Sequence, residues 1–286
     1  MPLPRLDPKP EPCTDRSDMT ANQTSQRRPA RLLHHLARTG GTLISRCLAS
    51  MSGIVVLSEV HPAAAAIHYP IYDALDQARR WYGLLDEAEC ARFGRTTPER
   101  FAEAIALIDG RCRDRGLTLV LRDWSHLDFV GVPFRRETGQ RLETVAVLAP
   151  MFDVASFATV RHPIDQWLSL KRFLGDTPLA LEDFLAGNRA FAEQAAVMGF
   201  VRYEDFVAQP ATELARIADA LDLAFDPTFP ERWSAYRNMT GDPPAADETA
   251  ILPQRPRRFP PGLADRFLAN DDYRRTIGIL GYEHRH

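Results

Sequence analysis

The chain has 286 residues, of which 45% are hydrophobic and 26% are charged. Its 35 Lys and Arg residues nearly balance its 38 Asp and Glu residues, so the formal net charge is −3. Such a chain is too apolar to be disordered throughout, and it lacks the basic excess of a general nucleic-acid binder. A strongly anionic ligand therefore has to be held by a local cluster of cations.

The N-terminal region differs in composition from the rest of the chain. Residues 1–30 hold six of the 22 prolines and show no apolar periodicity, so we expect a disordered tail, with Met19 as an alternative translation start. A single domain is expected over 31–286. No apolar run approaches the roughly 20 residues of a membrane span, and no signal-peptide pattern is present. The four scattered cysteines indicate free thiols, no metal site and a cytoplasmic location.

Apolar periodicity predicts strands that alternate with helices. In chain order it predicts a strand (32–37), a helix (43–51), a strand (54–57), two helices (71–85 and 98–113), two strands (117–122 and 154–160), two helices (163–173 and 179–198), a strand (199–203) and a helix (211–221). This alternation is typical of an α/β domain with a mostly parallel sheet.

A glycine turn follows the first predicted strand. The segment Arg38-Thr39-Gly40-Gly41-Thr42 leads into a helix, whose N-terminal N–H groups and dipole favour an anion. The P-loop pattern of ATPases and GTPases is only half met, because Gly41 stands in place of its Lys and His35 in place of its first Gly. A plain glycine-rich turn is the alternative interpretation of this segment.

A second strand–helix junction carries another cation. Arg161 ends a predicted strand, and Pro163 suits the first position of the helix that follows. Arg161 offers a planar fork that matches a phosphate, and Ser169 offers a hydroxyl eight residues later. Taken alone, this junction also fits a helix cap with a surface arginine.

Together these motifs resemble those of the sulfotransferases that use 3′-phosphoadenosine 5′-phosphosulfate. Residues 37–43 resemble the 5′-phosphosulfate loop, and 161–169 resemble the 3′-phosphate motif. Residues 202–206, Arg-Tyr-Glu-Asp-Phe, are similar to a downstream element of the family. The resemblance implies a P-loop NTPase-like fold of three α/β/α layers, and transfer of a sulfuryl group from that nucleotide without a metal.

Carried over residue by residue, the resemblance implies a set of nucleotide-binding positions. Cytosolic members also carry a late Gly-x-x-Gly-x-x-Lys loop, for which the nearest substitute here is Arg255-Pro256-Arg257-Arg258. A solvated basic loop is the alternative reading of that segment. The implied nucleotide-binding residues are Arg38, Thr39, Gly40, Gly41, Thr42, Arg161, Ser169 and Tyr203, with Arg257 and Arg258 as candidate phosphate contacts.

The acceptor needs a general base, and Arg38 would stabilise the leaving phosphate. His126 follows the third predicted strand and resembles the Lys-Thr-His segment that supplies the base in cytosolic members. Glu59 and His61 follow the second strand and are the alternatives. His34 and His35 lie within the first predicted strand, where we expect them to be packed. The aromatic residues Trp124, Phe129, Phe134 and Trp167 either line an acceptor pocket or fill the core.

The sequence thus predicts a sulfotransferase acting on a hydroxyl or amine of a small molecule or carbohydrate, with no nucleic-acid partner. A kinase or another phosphotransferase of the same architecture is one alternative. A catalytically silent nucleotide-binding protein is another.

Overall fold

The computed structural model describes residues 27–67, 70–241, 250–252 and 260–285. The strands are β1 (Arg28–His35), β2 (Ile54–Val60), β3 (Thr118–Asp123), β4 (Phe152–Val160) and β5 (Phe200–Arg202). The helices are α1 (Gly41–Ala49), α2 (Ala74–Tyr82), α3 (Glu87–Phe93), α4 (Phe101–Asp114), α5 (His126–Phe129), α6 (Glu143–Leu148), α7 (Pro163–Leu174), α8 (Leu181–Met198), α9 (Tyr203–Ala208), α10 (Pro210–Ala220), α11 (Leu263–Ala269) and α12 (Asp271–Leu280). None of the helices in these ranges combines the length and the apolar content that crossing a lipid bilayer requires.

The strands form one parallel sheet in the order β2-β3-β1-β4-β5. The central strand β1 pairs Leu32 with Leu121 of β3 on one side and with Ser156 of β4 on the other. Parallel strands covered on both faces read as continuous apolar runs, which is why the first, second and third strands could be recognised. The predicted α/β fold with a mostly parallel sheet is confirmed.

The two faces of the sheet pack against different helices. Leu32, Leu57 and Leu121 face a cluster that includes residues of α2, α4 and α6. Leu33 and Val56 point the other way, into a cluster built from α1, α9 and α10. Each such side chain stabilises the fold by about 1.5–3 kcal/mol when it is fully buried. The predicted arrangement of three layers follows from this alternation.

The first strand begins slightly earlier than predicted. Strand β1 starts at Arg28, which pairs with Phe152, whereas the sequence predicts order from residue 31. Arg27 also donates a hydrogen bond to the Ala149 carbonyl over 2.8 Å. These contacts come from β4 and the turn before it, so local composition could not indicate them. The remainder of the predicted tail, 1–26, lies outside the described residues.

The sequence missed several short helices. Helix α3 has no buried residue, and therefore no apolar stripe that marks an amphipathic helix. It begins instead with a capping box between Asp86 and Glu89. Helix α9 follows β5 without a break, so its six residues read as part of a strand and a loop. None of these elements changes the order of the sheet.

Candidate active site

The parallel arrangement places the carboxyl ends of the strands along one edge. The loops after β1, β2, β3 and β4 therefore come together there. These loops carry most of the site residues that the sequence predicts.

The loop between β1 and α1 follows a left-handed path at two residues. Arg38 has φ 71° and Gly40 has φ 87°, a region that glycine adopts readily and other residues rarely do. A Cβ at Gly40 would lie 2.1 Å from the ring of Tyr203. Helix α1 then begins at Gly41 with no side-chain capping bond at its N-terminal end. The loop and the start of α1 are thus packed directly against Tyr203.

Gly41 makes room for a histidine. A Cβ at this position would lie 2.6 Å from the ring of His35 at the end of β1. A larger side chain such as threonine at this position would collide with the imidazole, so the close approach of His35 requires glycine here.

The two motifs that the sequence analysis assigns to the 5′-phosphosulfate and the 3′-phosphate meet at Arg38. Its Nε donates a hydrogen bond to the Ser169 hydroxyl over 2.9 Å, and Nη1 of Arg161 donates to the Arg38 carbonyl over 3.3 Å. The guanidinium carbon of Arg161 lies 4.6 Å from the centre of the Tyr203 ring. Helix α7, helix α9 and the loop after β1 therefore hold one another in place.

These elements enclose a cavity of about 330 Å³, which we call the arginine cavity. Many of the residues that the sequence singles out line it, namely Arg38, Gly40, Gly41, Thr42, Glu59, His126, Arg161 and Tyr203. Its lining also includes Ala37, Leu43, His35, Arg46, Tyr72, Arg122, Trp124, Phe134, Phe173 and Gly241. The cavity brings both predicted phosphate sites and two of the candidate bases together.

Some predicted positions are not part of the lining. Thr39 is buried beneath the loop, where its hydroxyl donates to the Leu36 carbonyl over 2.8 Å and lies 3.2 Å from the Thr159 hydroxyl. Ser169 reaches the cavity only through its bond to Arg38. Arg257 and Arg258 lie outside the described residues.

Glu59 stands at a break in the end of β2. Its φ of 54° is in the left-handed region, and the register of β2 against β3 shifts between Ser58 and Val60. Burial alone raises the pKa of the Glu59 carboxyl, but the charge of Arg122 and the nearby His35 imidazole outweigh it and hold that pKa at about 2. Glu59 is thus an ionised carboxylate at neutral pH, inside a largely buried site.

Arg122 connects Glu59 to the loop after β1. Its Nη2 lies 3.2 Å from Oε1 of Glu59 and donates to the Thr42 hydroxyl over 3.1 Å. Its Nη1 donates to the Ser58 hydroxyl over 3.0 Å and to the Thr240 carbonyl over 3.1 Å. This buried guanidinium therefore binds β2, α1 and the segment near residue 240 at one point.

His35 lies between the loop glycine and the carboxylate. Its Nε2 is 3.6 Å from Oε1 of Glu59, and neither ring nitrogen has a hydrogen bond within normal distance among the described residues. Burial and the charge of Arg122 lower the pKa of His35 to about 4, against the opposing effect of Glu59. The imidazole is therefore neutral at physiological pH. The expectation that His35 is packed holds for its burial, but the side chain also faces the cavity.

His34 differs from its neighbour in having a full set of polar partners. Its Nδ1 lies 2.8 Å from Oδ2 of Asp123, and its Nε2 lies 3.0 Å from the Ser156 hydroxyl. The side chain is fully buried between strands, so it is a packed core histidine, as the sequence indicates.

Both ring nitrogens of His126 are engaged by the backbone. Nδ1 accepts a hydrogen bond from the Ala37 N–H over 3.3 Å, and Nε2 donates to the Val132 carbonyl over 2.8 Å. Burial lowers the pKa of this imidazole. His126 lines the cavity and ties the loop after β1 to the segment after α5, so in this arrangement neither nitrogen is available to take a proton from a ligand.

His61 faces away from the arginine cavity, into an ion-pair cluster. Its Nε2 lies 3.2 Å from Oδ1 of Asp128, and ligand atoms of His61, Asp128 and Glu143 all fall within 4.8 Å of one another. That spacing would suit a cation, but the guanidinium of Arg135 already lies 3.0 Å from Glu143 and 3.9 Å from Asp128. The arginine supplies the positive charge that a metal ion would otherwise bring.

The predicted aromatic residues divide into two groups. Trp124 and Phe134 line the cavity with their ring centres 4.9 Å apart. Phe129 and Trp167 are buried in the core instead. Two of the four aromatic residues therefore line the cavity, and the other two fill the core, which was the alternative prediction.

The sequence reasoning overlooked Arg122 and Arg46. Both are nearly fully buried, and Arg122 interrupts an apolar strand. A charged residue within an otherwise buried strand is rare unless it is paired, so Arg122 carried a usable signal. Arg46 lies in α1, and nothing in its sequence context indicates that it faces a cavity. With Arg38 and Arg161 they make the cavity locally positive around the single carboxylate of Glu59 in its lining.

Comparisons with known proteins give a likeness in structure only. No protein-family model and no curated protein sequence matches the chain. The sulfotransferase domain of the Synechococcus PCC 7002 olefin synthase superposes with a TM-score of 0.63 at 21% identity, covering 90% of this chain and 96% of that one. A sulfotransferase domain from the curacin biosynthetic pathway gives 0.60 at 16% identity, covering 91% and 100%. The chain therefore has a sulfotransferase-like α/β fold.

Proposed function

We propose that this protein is a sulfotransferase, which moves a sulfuryl group from 3′-phosphoadenosine 5′-phosphosulfate to a hydroxyl of an acceptor. The observation that carries the proposal is the arginine cavity, where the loop with Arg38 and the junction with Arg161 meet beside a buried carboxylate. The sulfotransferase-like fold supports it. The acceptor is a small molecule or a carbohydrate.

The nucleotide has phosphate groups at both ends, and the cavity offers cations to match. The N-terminus of α1 and Arg38 bind the 5′-phosphosulfate, since unbonded helix N–H groups and a guanidinium both attract an oxyanion. Arg161 binds the 3′-phosphate, and Ser169 holds the Arg38 side chain beside it. ATP carries no 3′-phosphate, so this second position favours the sulfate donor over the substrate of a kinase.

The reaction is an in-line displacement at sulfur. A new bond forms between the acceptor oxygen and sulfur as the bond from sulfur to the bridging 5′-phosphate oxygen breaks. The electron pair of the broken bond leaves with 3′,5′-adenosine bisphosphate, and Arg38 stabilises the charge that develops there. The hydroxyl proton passes to the general base. Positioning and fixed charges supply most of the rate, by analogy with phosphoryl transfer.

Glu59 is the general base that the geometry favours. It is ionised, it lines the cavity, and its strained backbone and Arg122 fix its direction. With a pKa of about 2 it is a weak base, so it takes the proton only as the hydroxyl becomes more acidic during bond formation to sulfur. His126, which the sequence favours, has both nitrogens committed to backbone groups.

The thiols support a cytoplasmic location for this activity. Cys47, Cys90 and Cys112 are free, and burial raises the pKa of each. Unpaired, unreactive thiols are typical of a reducing compartment.

Calorimetric titration with 3′,5′-adenosine bisphosphate and with Mg-ATP tests the proposal. We expect binding of the bisphosphate, and an affinity roughly 10- to 100-fold lower in Arg38→Ala and Arg161→Ala, because each loses a charge-assisted contact of ~1.5–3 kcal/mol. Arg266→Ala, an exposed residue on α11, is the matched control and should bind normally. Transfer of labelled sulfate from the donor into a cell extract should fail in Arg38→Ala.

Other outcomes would point to the alternatives. Tight binding of Mg-ATP with no affinity for the bisphosphate would indicate a phosphotransferase. Binding of the bisphosphate without any labelled product would indicate a silent nucleotide-binding protein.

A further inference from the structure

A second cavity, of about 480 Å³, lies beside the arginine cavity. It is enclosed by the turns at Pro62–Ile67 and Pro70–Tyr72, by α2 and α3, and by the start of α4. Its volume is within the range of sites that bind small molecules. None of the residues assigned to nucleotide binding lines it, so it needs a different occupant.

The buried lining of the second cavity is apolar apart from His61, whose ring nitrogens are engaged by Asp128 and the Ala63 N–H, and one unsatisfied hydroxyl. Ala64, Leu75 and Phe101 are buried members of the lining. Thr96 is 6% exposed, and its Oγ1 has no hydrogen-bond partner among the described residues. A buried hydroxyl without a partner is costly, so the cavity is built for an apolar body that carries one hydrogen-bonding group.

Two acidic groups in the lining, Asp73 and Asp76, are already engaged, and the charged residues Glu87 and Arg95 are exposed to solvent. Asp73 accepts the N–H of Asp76 at the start of α2 over 2.9 Å. Asp76 in turn lies 2.7 Å from Arg80 and 3.4 Å from Arg79. Among Ala64, Leu75 and Phe101 in the buried part of the cavity, a charged group would therefore lose its hydration without gaining a partner. The cavity therefore favours an uncharged molecule.

Tyr72 is the wall between the two cavities. It lines both of them, and its ring centre lies 4.2 Å from that of Trp124, which lines the arginine cavity. Residues at the end of β2 also line both cavities: Glu59 lines the arginine cavity, and His61 lines the second cavity. A molecule in the second cavity would thus contact Tyr72, which also lines the cavity that holds the proposed base.

We propose that the second cavity binds the acceptor, and that this acceptor is an uncharged alcohol with a largely apolar body. The body lies among Ala64, Leu75 and Phe101, a second polar group bonds to Thr96, and the reacting hydroxyl passes Tyr72 toward Glu59. The acceptor role rests on the proposed sulfotransferase function. The binding site and its preference for neutral ligands rest on the cavity alone.

The test compares two probes that differ in charge. Ligand-detected NMR measures binding of 2,6-dihydroxynaphthalene and of 6-hydroxy-2-naphthoate, in the presence of saturating 3′,5′-adenosine bisphosphate. We expect the neutral diol to bind at least 10-fold more tightly than the carboxylate. Ala91→Trp fills the mouth of the second cavity from an exposed position on α3, and should weaken diol binding at least 10-fold. Ala220→Trp, exposed on α10, is the matched control and should change nothing.

The outcomes separate the cavity from the proposed chemistry. No binding of the diol, equal binding of the carboxylate, or unchanged binding in Ala91→Trp would overturn the assignment of the cavity. Competition between the diol and the bisphosphate would also overturn it, because the two sites are separate. If the wild-type protein does not bind the bisphosphate in calorimetry, the proposed function and the acceptor role are wrong, whatever the binding of the diol.

Discussion

Single residues in this site are held in conformations that cost free energy. Arg38 and Glu59 both have positive φ without being glycine. Each such residue costs on the order of 1–3 kcal/mol, and it persists only where its surroundings over-determine it. For Glu59 the surroundings are Arg122 and His35, and for Arg38 they are Ser169 and Arg161. Strain at the proposed base and at the proposed phosphate ligand is consistent with both being preorganised.

Removing the charge of Glu59 tests its role as the base. Glu59→Gln should lower kcat/KM for sulfuryl transfer by ~10²–10⁴ with little change in the Kd of the bisphosphate, because a general base acts only in the transition state. In the wild type, Glu59 is ionised above pH about 2 and His35 is neutral above pH about 4. These two groups therefore give no acid limb in kcat/KM between pH 5 and 8. Glu182→Gln, exposed on α8, is the matched control.

His126 provides the comparison between the two candidate bases. Glutamine at this position keeps one hydrogen-bond acceptor for Ala37 and one donor for Val132, so the loop should stay in place. We expect kcat/KM of His126→Gln to stay within about tenfold of the wild type. A loss as large as that of Glu59→Gln would return the role of base to the histidine.

The chain contains a matched pair of glycines that separates backbone strain from collision. Gly40 and Gly53 both have positive φ, but a Cβ at Gly53 meets nothing within 4 Å, whereas one at Gly40 meets Tyr203. Gly53→Ala should cost about 1 kcal/mol of unfolding free energy. Gly40→Ala should cost about 1–3 kcal/mol more, since overpacking adds to strain. Urea unfolding measures both changes, and only Gly40→Ala should weaken binding of the bisphosphate. Equal effects of the two would contradict the collision.

At the scale of elements, Arg122 joins β2, β3 and α1 through Glu59 and Thr42. Arg122→Met should cost about 3–5 kcal/mol of unfolding free energy, because a buried carboxylate loses its partner. It should also raise the pKa of Glu59, so that protonation of the base moves up toward neutral pH and an acid limb appears in kcat/KM. Arg122→Lys keeps the charge and should restore a flat profile. If Arg122→Met folds and its profile stays flat, Arg122 does not keep Glu59 ionised.

The same elements show what the sequence can and cannot predict. Strand β1 and helix α7 were recognisable because an apolar run and Pro163 are local signals. The short helix α9 and the role of Arg122 were not, because both depend on contacts between distant parts of the chain. Of the loop residues that the motif singles out, Arg38, Gly40, Gly41 and Thr42 line the cavity, whereas Thr39 is buried beneath the loop. The motif could not indicate that His35 lies under Gly41, since that depends on how two elements approach each other.

At the scale of the whole molecule, the distribution of charge is more informative than its sum. The net charge is −3, yet Arg38, Arg46, Arg122 and Arg161 all line one cavity. Because four arginines outnumber the single carboxylate of Glu59 there, the cavity has a positive field, which raises the association rate of an anionic ligand. An overall acidic protein can thus attract a polyanionic nucleotide over a short range, and salt should reduce that attraction.

Buried titratable groups make the stability of the whole fold depend on pH. His35 has a pKa of about 4 in the folded state and an ordinary value of 6.5 in the unfolded state. As the pH falls below 6.5, His35 therefore binds a proton in the unfolded chain before it does so in the folded protein. The free energy of unfolding falls as a result until the pH reaches about 4. This contribution is about 3 kcal/mol. The charged and titratable groups that act on His35 are Glu59, Arg122 and Asp123, and the lowered pKa of about 4 includes the effects of all three.

Two histidine substitutions should change this dependence in opposite directions. His35→Asn removes a group whose folded pKa is lowered, so the loss of unfolding free energy from pH 7 to pH 4.5 should become smaller. His61 has a raised pKa through its bond to Asp128, so it stabilises the fold at low pH and loses that effect as pH rises through its folded pKa. His61→Asn should therefore make the acid loss larger. Urea unfolding at pH 4.5, 5.5, 6.5 and 7.5 measures both slopes. A lowered pKa at His35 and a raised pKa at His61 must change the acid loss of unfolding free energy in opposite directions. If both variants change it in the same direction, the burial of His35 does not control acid stability.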